Sequence, residues 1–560
     1  MNKSPIKVLF VSAEAAPFAK VGGLADVAGA LPPALKKLGV DIRIMMPLYG
    51  NIEKITDKNG ITHIAGAGKK YKIKKTIENL KIKFGEKDEI INIYQINFNG
   101  APFYFIDNEN FLKYNGIYEN ENKFLLFNKA IADIICQNSV ILNDPASKCG
   151  GVKDLANYNT EFILSEGRGI LRPHGARAQN DALFKWKPDI IHCNDNHTAL
   201  IPLLLKNRKS EIKTVLTIHN LEFQGAFSPQ DLKLLEIYEM DMDSLTKDIK
   251  DGDVNKMAQG ILCADVINTV SPTYAKEILT KEYGEGLENI LKKRKKDLYG
   301  IINGIDTIKF NPEKDPFIKY HYSAKNLDGK KKNKKWLLEE YFKNTPLTPL
   351  KRGIFTPLLY RPQIQIQNPL IALISRLTSQ KGIDLVIAAI PQLFKKYPDA
   401  LFILLGAGDK EYEKKLKELS LKYPENFKAI IGFDLKIAQE IYAGSDIFLM
   451  PSRFEPCGLG QLTAMRYGTV PVVRKTGGLA DTVENFRFKI ADFRFKKANG
   501  FMFEKYSSSA MMGAIDDALR AYQDKKMWKQ LMTNGMRRDS SWDKSAKEYV
   551  EIYKKILKIS

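Results

Sequence analysis

Short apolar runs separated by amphipathic stretches recur along most of this chain. In the first half they are Val8–Val11, Ile42–Met46, Ile90–Ile96, Phe103–Ile106, Asp189–Cys193, Thr214–Ile218 and Val266–Val270. The second half supplies Leu370–Ser375, Leu401–Leu405, Ala429–Ile431, Ile447–Met450 and Val470–Val473. Strand-like runs alternating with helical patterns predict βα units, mainly parallel sheets and an α/β fold of two doubly wound domains. The join falls between Ser271-Pro272 and Asn303-Gly304-Ile305-Asp306, where a turn signal, a basic run and a helical pattern precede a new strand. This places the domains at 1–302 and 303–540. Beyond them, Ala546, Tyr549, Val550, Ile552, Tyr553 and Ile556 at helical spacing predict an amphipathic helix within 541–560. Two stretches break the rhythm: 138–182, and the proline-rich 344–366. Structureless segments of that length do not belong in a core, so both read as insertions.

One turn stands out against this background. Lys20-Val21-Gly22-Gly23-Leu24-Ala25-Asp26 follows the run Val8–Val11 and opens a helical pattern. An apolar run, paired glycines and a helix predict a strand, a tight turn and a helix N-terminus, whose free N–H groups suit an anion. Lys20 beside the glycines points to a phosphate. The bland alternative is a sharp corner that needs glycine for its shape alone. Against it, Thr476-Gly477-Gly478-Leu479-Ala480-Asp481 repeats the pattern after Val470–Val473, which suggests two similar units facing one ligand.

Three further strand ends carry candidate chemistry, because ligands of α/β folds bind at the carboxyl ends of parallel strands. The first is His192-Cys193-Asn194-Asp195-Asn196-His197, in which His197 suits a sugar hydroxyl or a backbone carbonyl. A metal held by His192, Asp195 and His197 is an alternative, weakened because His192 falls within a buried strand pattern. The second is Arg376 to Gly382, where Arg376 and Lys381 flank a turn and suit a departing diphosphate. The same spacing also fits two solvent-facing basic residues. The third is Pro451 to Gly460, where Glu455 suits sugar hydroxyls or a positive charge developing on a sugar ring. Cys457 has the alternative of a nucleophile, but no histidine follows locally to activate it.

Composition narrows the function classes. With 86 Lys and Arg against 65 Asp and Glu, the chain carries a net charge of +21. That balance implies salt-sensitive attraction to polyanions. The lysines are dispersed, and no basic run accompanies an RNA-binding aromatic motif or a zinc-finger spacing, so no specific nucleic-acid partner is expected. Five cysteines without a Cys-x-x-Cys pair argue against a disulfide framework or structural zinc and for a reducing cytoplasm. Lys3, Lys7 and the apolar residues after them loosely imitate a signal peptide; Glu14 interrupts the stretch, which reads instead as a buried first strand. No apolar run approaches membrane-spanning length, so no membrane partner is expected.

Taken together, these motifs resemble those of bacterial glycogen synthases and plant starch synthases. Similar stretches are Lys20 to Asp26, Ile218-His219-Asn220-Leu221, Val270-Ser271-Pro272-Thr273-Tyr274, Asn303-Gly304-Ile305-Asp306, Arg376 to Gly382, Glu455-Pro456-Cys457-Gly458 and Thr476-Gly477-Gly478-Leu479, all in family order. The resemblance implies a GT-B glycosyltransferase of two Rossmann-like domains with a deep cleft between them. It implies retaining transfer of glucose from ADP-glucose, or UDP-glucose, to the non-reducing 4-hydroxyl of glycogen or another α-1,4-glucan, with neither metal nor cofactor. Lys20, Gly22, Gly23 and Asp26 are then expected at the donor diphosphate and acceptor side. His197 is expected to meet the transferred glucose, Arg376 and Lys381 to neutralise the diphosphate, and Glu455 to hold the sugar. Asn303, Cys457, Gly458, Gly477 and Gly478 are expected to support sugar and phosphate. Two departures stand out: Glu119 takes the place of a family aspartate, and Asn196 that of an aromatic residue. Alternatives are a retaining GT-B transferase with another donor or acceptor, and a silent glucan-binding homologue.

Overall fold

The computed structural model describes residues 4–56, 62–66, 69–112, 116–142, 186–237, 252–343, 365–488 and 497–559. The first expected insertion lies outside these residues beyond 142, as does the second up to 364. The chain divides into two compact units, one of Met1–Asn268, Gly284–Tyr299 and Ala546–Ser560, the other of Thr269–Tyr283 and Gly300–Ser545. That division differs from the expected 1–302, 303–540 and 541–560, because residues 269–283 and 300–302 join the second unit and 541–545 stay with it.

In the first unit, β1 (Lys7–Val11), α1 (Gly23–Lys37), β2 (Asp41–Pro47), β3 (Lys74–Phe84), β4 (Lys87–Phe98), β5 (Ala101–Asp107), α2 (Lys123–Leu142), β6 (Ile190–Asn194), α3 (Leu200–Asn207), β7 (Lys213–Ile218), β8 (Val266–Thr269) and β9 (Leu298–Gly300) follow one another. Their sheet has the order β9-β8-β7-β6-β1-β2-β5-β4-β3. Its centre is parallel: Val8 stands opposite Ile42 on one side and Ile190 on the other. Every residue of β6 is buried, as befits an apolar strand covered on both faces. The expectation of mainly parallel strands fails at one edge, where β5, β4 and β3 are antiparallel. There β3 exposes alternate lysines, and those polar positions hid it from a search for apolar runs.

The second unit is built on β10 (Leu370–Ile374), α4 (Ile383–Lys396), β11 (Leu401–Gly406), β12 (Phe427–Ile431), β13 (Ile447–Met450), α5 (Gly460–Arg466), β14 (Val470–Arg474), α6 (Gly477–Thr482), β15 (Phe501–Phe503) and α7 (Ser508–Gln523). All its neighbouring strands are parallel, in the order β12-β11-β10-β13-β14-β15. This is the doubly wound order that runs outward from a central strand in both directions. The reversal between β10 and β13 is the place where a doubly wound sheet offers a ligand crevice, at the carboxyl ends of its strands. In the first unit, β1 and β6 are the corresponding pair. Among the described residues, no helix is long and apolar enough to cross a membrane.

The last helix, α8 (Trp542–Leu557), leaves the second unit at Ser545 and belongs to the first from Ala546 onward. Within the first unit its Tyr549 hydroxyl accepts from the Asn268 amide at 3.0 Å, and its Tyr553 hydroxyl bonds His192 Nδ1 at 2.7 Å. His192 Nε2 meets the Thr217 hydroxyl at 2.7 Å, so both ring nitrogens are engaged in a fully buried place. Tyr553→Phe keeps the ring but orphans His192 Nδ1. A loss of about 1–3 kcal/mol is expected in urea unfolding; an unchanged midpoint would count against this bond as a support of the helix.

Candidate active site

The loop after β1 runs into the first glycine turn. Glu14, almost completely buried, turns one carboxylate oxygen onto the backbone N–H groups of Val21 at 2.6 Å and Gly22 at 3.0 Å. Its other oxygen accepts from the Tyr118 hydroxyl. The expectation of free N–H groups is therefore corrected at Val21 and Gly22: the anion they meet is the protein's own. Gly23, the first residue of α1, is exposed. Lys20 Nζ pairs with Asp26 Oδ1 at 2.5 Å, both side chains more than a third exposed, which makes the pair worth no more than about 1 kcal/mol. Lys20 and Asp26 thus pair across the turn that Glu14 holds at Val21 and Gly22.

After β6 the chain turns sharply. Asp195 has φ of +56°, a conformation that costs a non-glycine residue energy, and its Oδ1 accepts the His219 N–H at 2.7 Å. Burial pushes the Asp195 carboxyl up to about 7. His197 follows, enclosed by the rings of Tyr118 at 4.8 Å and Phe124 at 4.7 Å. Only 6% of His197 is exposed, which leaves little of it to meet a substrate. Its Nε2 lies 3.8 Å from Glu121 Oε1, and the buried Lys256 pairs with Glu121 at 2.8 Å. The carboxylate facing His197 is therefore Glu121. His219, at the end of β7, is half-buried and shares a 3.0 Å hydrogen bond with Asn194. Of the two it is the more accessible. A metal on His192, Asp195 and His197 finds no support, because the His192 nitrogens serve Tyr553 and Thr217.

In the second unit, the loops after β10 and β13 meet at the strand-order reversal. Lys381 Nζ lies 2.7 Å from Glu455 Oε2, which also accepts the Ser452 hydroxyl at 2.9 Å. Arg376, exposed, donates to Gln380 at 3.1 Å. Gly382 has φ of +71°, and a Cβ there would lie 2.2 Å from the Pro451 carbonyl oxygen, so glycine is required where the two loops touch. Burial pushes the Cys457 thiol up to about 12, with the backbone N–H of Asn303 bonded to it. A thiol so protonated at neutral pH is no nucleophile. Asn303 itself is buried, with no hydrogen-bond partner on its Oδ1 among the described residues.

The second glycine turn lies directly on this loop. Gly478 N–H donates to the carbonyls of Glu455 and Pro456, each at 3.1 Å. Residues 271–277 then brace both: Ser271 Oγ donates to the Pro456 carbonyl at 2.7 Å, and Thr273 gives its N–H and hydroxyl to Asp481 at 2.8 and 2.7 Å. Glu277 accepts the Gly477 N–H with both carboxylate oxygens at 3.0 Å. The structure thus gathers Arg376, Lys381, Glu455, Cys457, Gly458, Gly477, Gly478 and Asn303, and adds Ser271, Thr273, Glu277 and Ser452. Ser271-Pro272 carries a helix-start signal of capping serine and first-turn proline, whereas Glu277 carries no local signal of its role. Glu14, a lone acid among small apolar residues before the turn, was the available sign in the first unit.

The family profile "Starch synthase catalytic domain" matches residues 7–146 and 172–293, and "Glycosyl transferases group 1" matches residues 360–535. The gap at 147–171 falls inside the stretch 138–182. The glycogen synthase of Thermotoga maritima is 40% identical over 99% of both chains, and that of Bacillus cereus 37% identical over 99% of this chain and all of its own. A solved structure, the catalytic domain of starch synthase IV from Arabidopsis thaliana bound to ADP and acarbose, superposes with a TM-score of 0.76 at 28% identity, over 99% of this chain and all of that one.

The histidines make one prediction. Burial pushes His192 and His219 down to about 3 and His197 down to about 4. Between those values and about 6.5 the unfolded chain takes up protons that the folded one refuses, so each histidine withdraws stability as pH falls from 6.5. The share is at most about 1.4 kcal/mol per pH unit each. Asp195, raised, acts in the opposite sense. Urea unfolding of His197→Gln between pH 7 and 5 is therefore expected to show a shallower acid loss than wild type, by one histidine's share. Equal slopes would refute a neutral, buried His197.

Proposed function

The chain belongs to the family of bacterial glycogen synthases and plant starch synthases, glucosyltransferases of the GT-B fold, and on that footing we propose that it transfers glucose from ADP-glucose to the non-reducing 4-hydroxyl of an α-1,4-glucan with retention. The observation that carries this reading is the Lys381–Glu455 pair, with Arg376 beside it, at the strand-order reversal of the second unit.

In this mechanism the bond from glucose C1 to the diphosphate oxygen breaks as the acceptor O4 forms a new bond to C1 from the same face. The acceptor proton passes to the departing phosphate oxygen. Arg376 and Lys381 neutralise the charge that grows on the diphosphate, an effect that operates mainly in the transition state. Glu455, oriented by Ser452 and Lys381, holds the sugar ring and opposes the positive charge that develops there. The backbone of Cys457 and Gly458, with Asn303, lines the sugar and phosphate, and the Gly477-Gly478 turn, whose N–H groups are taken by Glu277 and by the Glu455 and Pro456 carbonyls, supports that backbone from behind. On the acceptor side act Lys20, the exposed Gly23 beside Gly22, and Asp26. Of the two histidines, we assign the sugar contact to His219, the more exposed one. The protonated Cys457 suits a route without a protein nucleophile.

ADP-glucose as donor is supported by the ADP in the starch synthase IV structure, and a glucan acceptor by its acarbose. A cytoplasmic location accords with the four described cysteines, all unpaired. The test is incorporation of labelled glucose into glycogen, with ADP-glucose and UDP-glucose offered separately. Wild type is expected to incorporate label and to favour ADP-glucose. Lys381→Ala is expected to lower turnover at least about tenfold in a folded protein; turnover equal to wild type would remove Lys381 from the mechanism.

A further inference from the structure

The second glycine turn has little in its own sequence to hold it in place. Gly477 has φ of +43°, and glycine pays the largest entropic cost of being ordered. Both glycines are nonetheless obligatory. A Cβ on Gly477 would lie 2.0 Å from the Glu455 carbonyl oxygen, and one on Gly478 would lie 1.9 Å from that of Cys457. The turn is pressed against the backbone that carries Glu455, so whatever immobilises Gly477 also immobilises Glu455.

That anchor comes from far upstream. Both oxygens of Glu277 lie 3.0 Å from the Gly477 N–H, and Oε1 lies 3.0 Å from the Thr476 hydroxyl. An ionised carboxylate only accepts, and its bonds to N–H groups are among the strong ones. Ser271 on Pro456 and Thr273 on Asp481 complete the brace from the same short segment. The first unit repeats the device: its glycine turn is held by Glu14 through Val21 and Gly22. The chain thus supplies a carboxylate to each of its two Gly-Gly-Leu-Ala-Asp turns, from outside the motif in both cases.

We propose that Glu277 is a positioning residue for glucose transfer, acting through the Gly477-Gly478 turn on the backbone that aims Glu455. It touches neither substrate. Its effect falls on the chemical step at the transferred sugar and leaves the acceptor's binding alone. This inference rests on the transfer activity assigned above.

The experiment measures kcat and the KM for glycogen, with ADP-glucose as donor, for wild type, Glu277→Ala and Glu277→Gln, with thermal unfolding of each. Glu277→Ala is expected to lose at least about tenfold in kcat with the glycogen KM within about twofold of wild type. Glu277→Gln keeps an oxygen for the Gly477 N–H and is expected to regain at least half of the lost activity on a logarithmic scale. A folded Glu277→Ala with kcat within about twofold of wild type overturns the proposal, and so does a loss carried by the glycogen KM. If Glu277→Ala does not fold, Glu277→Asp decides by the same two criteria, because it keeps the charge while withdrawing it from the turn. Wild type that transfers no glucose overturns the functional reading and this inference with it; transfer by wild type and by all variants alike overturns the inference alone.

Discussion

The close approach of two backbones governs the second unit's site. Gly477 and Gly478 lie against Glu455, Pro456 and Cys457 with no space for a single extra carbon. Gly382 meets Pro451 in the same manner on the other side of that loop. Three loops are therefore stacked backbone to backbone, and the side chains of Lys381 and Glu455 project from a layer without soft padding. Such a layer transmits small displacements, because close-packed interiors yield little. It also explains why the hydrogen bonds bracing the layer come from a distant segment: the glycines offer no side chains with which to brace themselves.

Charge is handled consistently across both units. Carboxylates that leave water are given N–H or hydroxyl donors: Glu14 has Val21, Gly22 and Tyr118; Glu277 has Gly477 and Thr476; Glu455 has Ser452 and Lys381. Histidines that leave water remain neutral. Lys381 and Arg376 differ from these in degree. Arg376 stays exposed with one neutral partner, and Lys381 shares its single carboxylate with a serine. The Arg376 charge therefore stays in water, whereas that of Lys381 is held by its carboxylate partner.

The chain's division into units adds a topological element. Residues 269–283 lie in the first half of the sequence yet belong to the second unit, and residues from Ala546 belong to the first. The helix that carries Tyr549 and Tyr553 meets Asn268 and His192, more than 280 residues upstream in each case. Long-range closures of this kind cost loop entropy, which grows only slowly with loop length. The buried aromatic rings and their hydroxyl bonds offset it.

Periodicity alone was enough to read the βα alternation, the two doubly wound sheets and the amphipathic last helix, because an apolar strand or helix face has to be covered wherever it falls. The paired glycines were legible for a similar reason: few other residues tolerate a backbone pressed so close. What the sequence by itself could not determine is which partners those elements meet. Lys74–Phe84 went unrecognised because its exposed lysines break the apolar pattern of an edge strand. The approach of Glu121 to His197, the enclosure of His197 against the greater exposure of His219, and the carboxylates of Glu14 and Glu277 on the two turns were decided by tertiary structure alone. Hydrogen bonds between residues hundreds of positions apart leave no periodic trace in either partner, and burial, which sets the protonation of the three histidines, is a property of the neighbours and not of the residue.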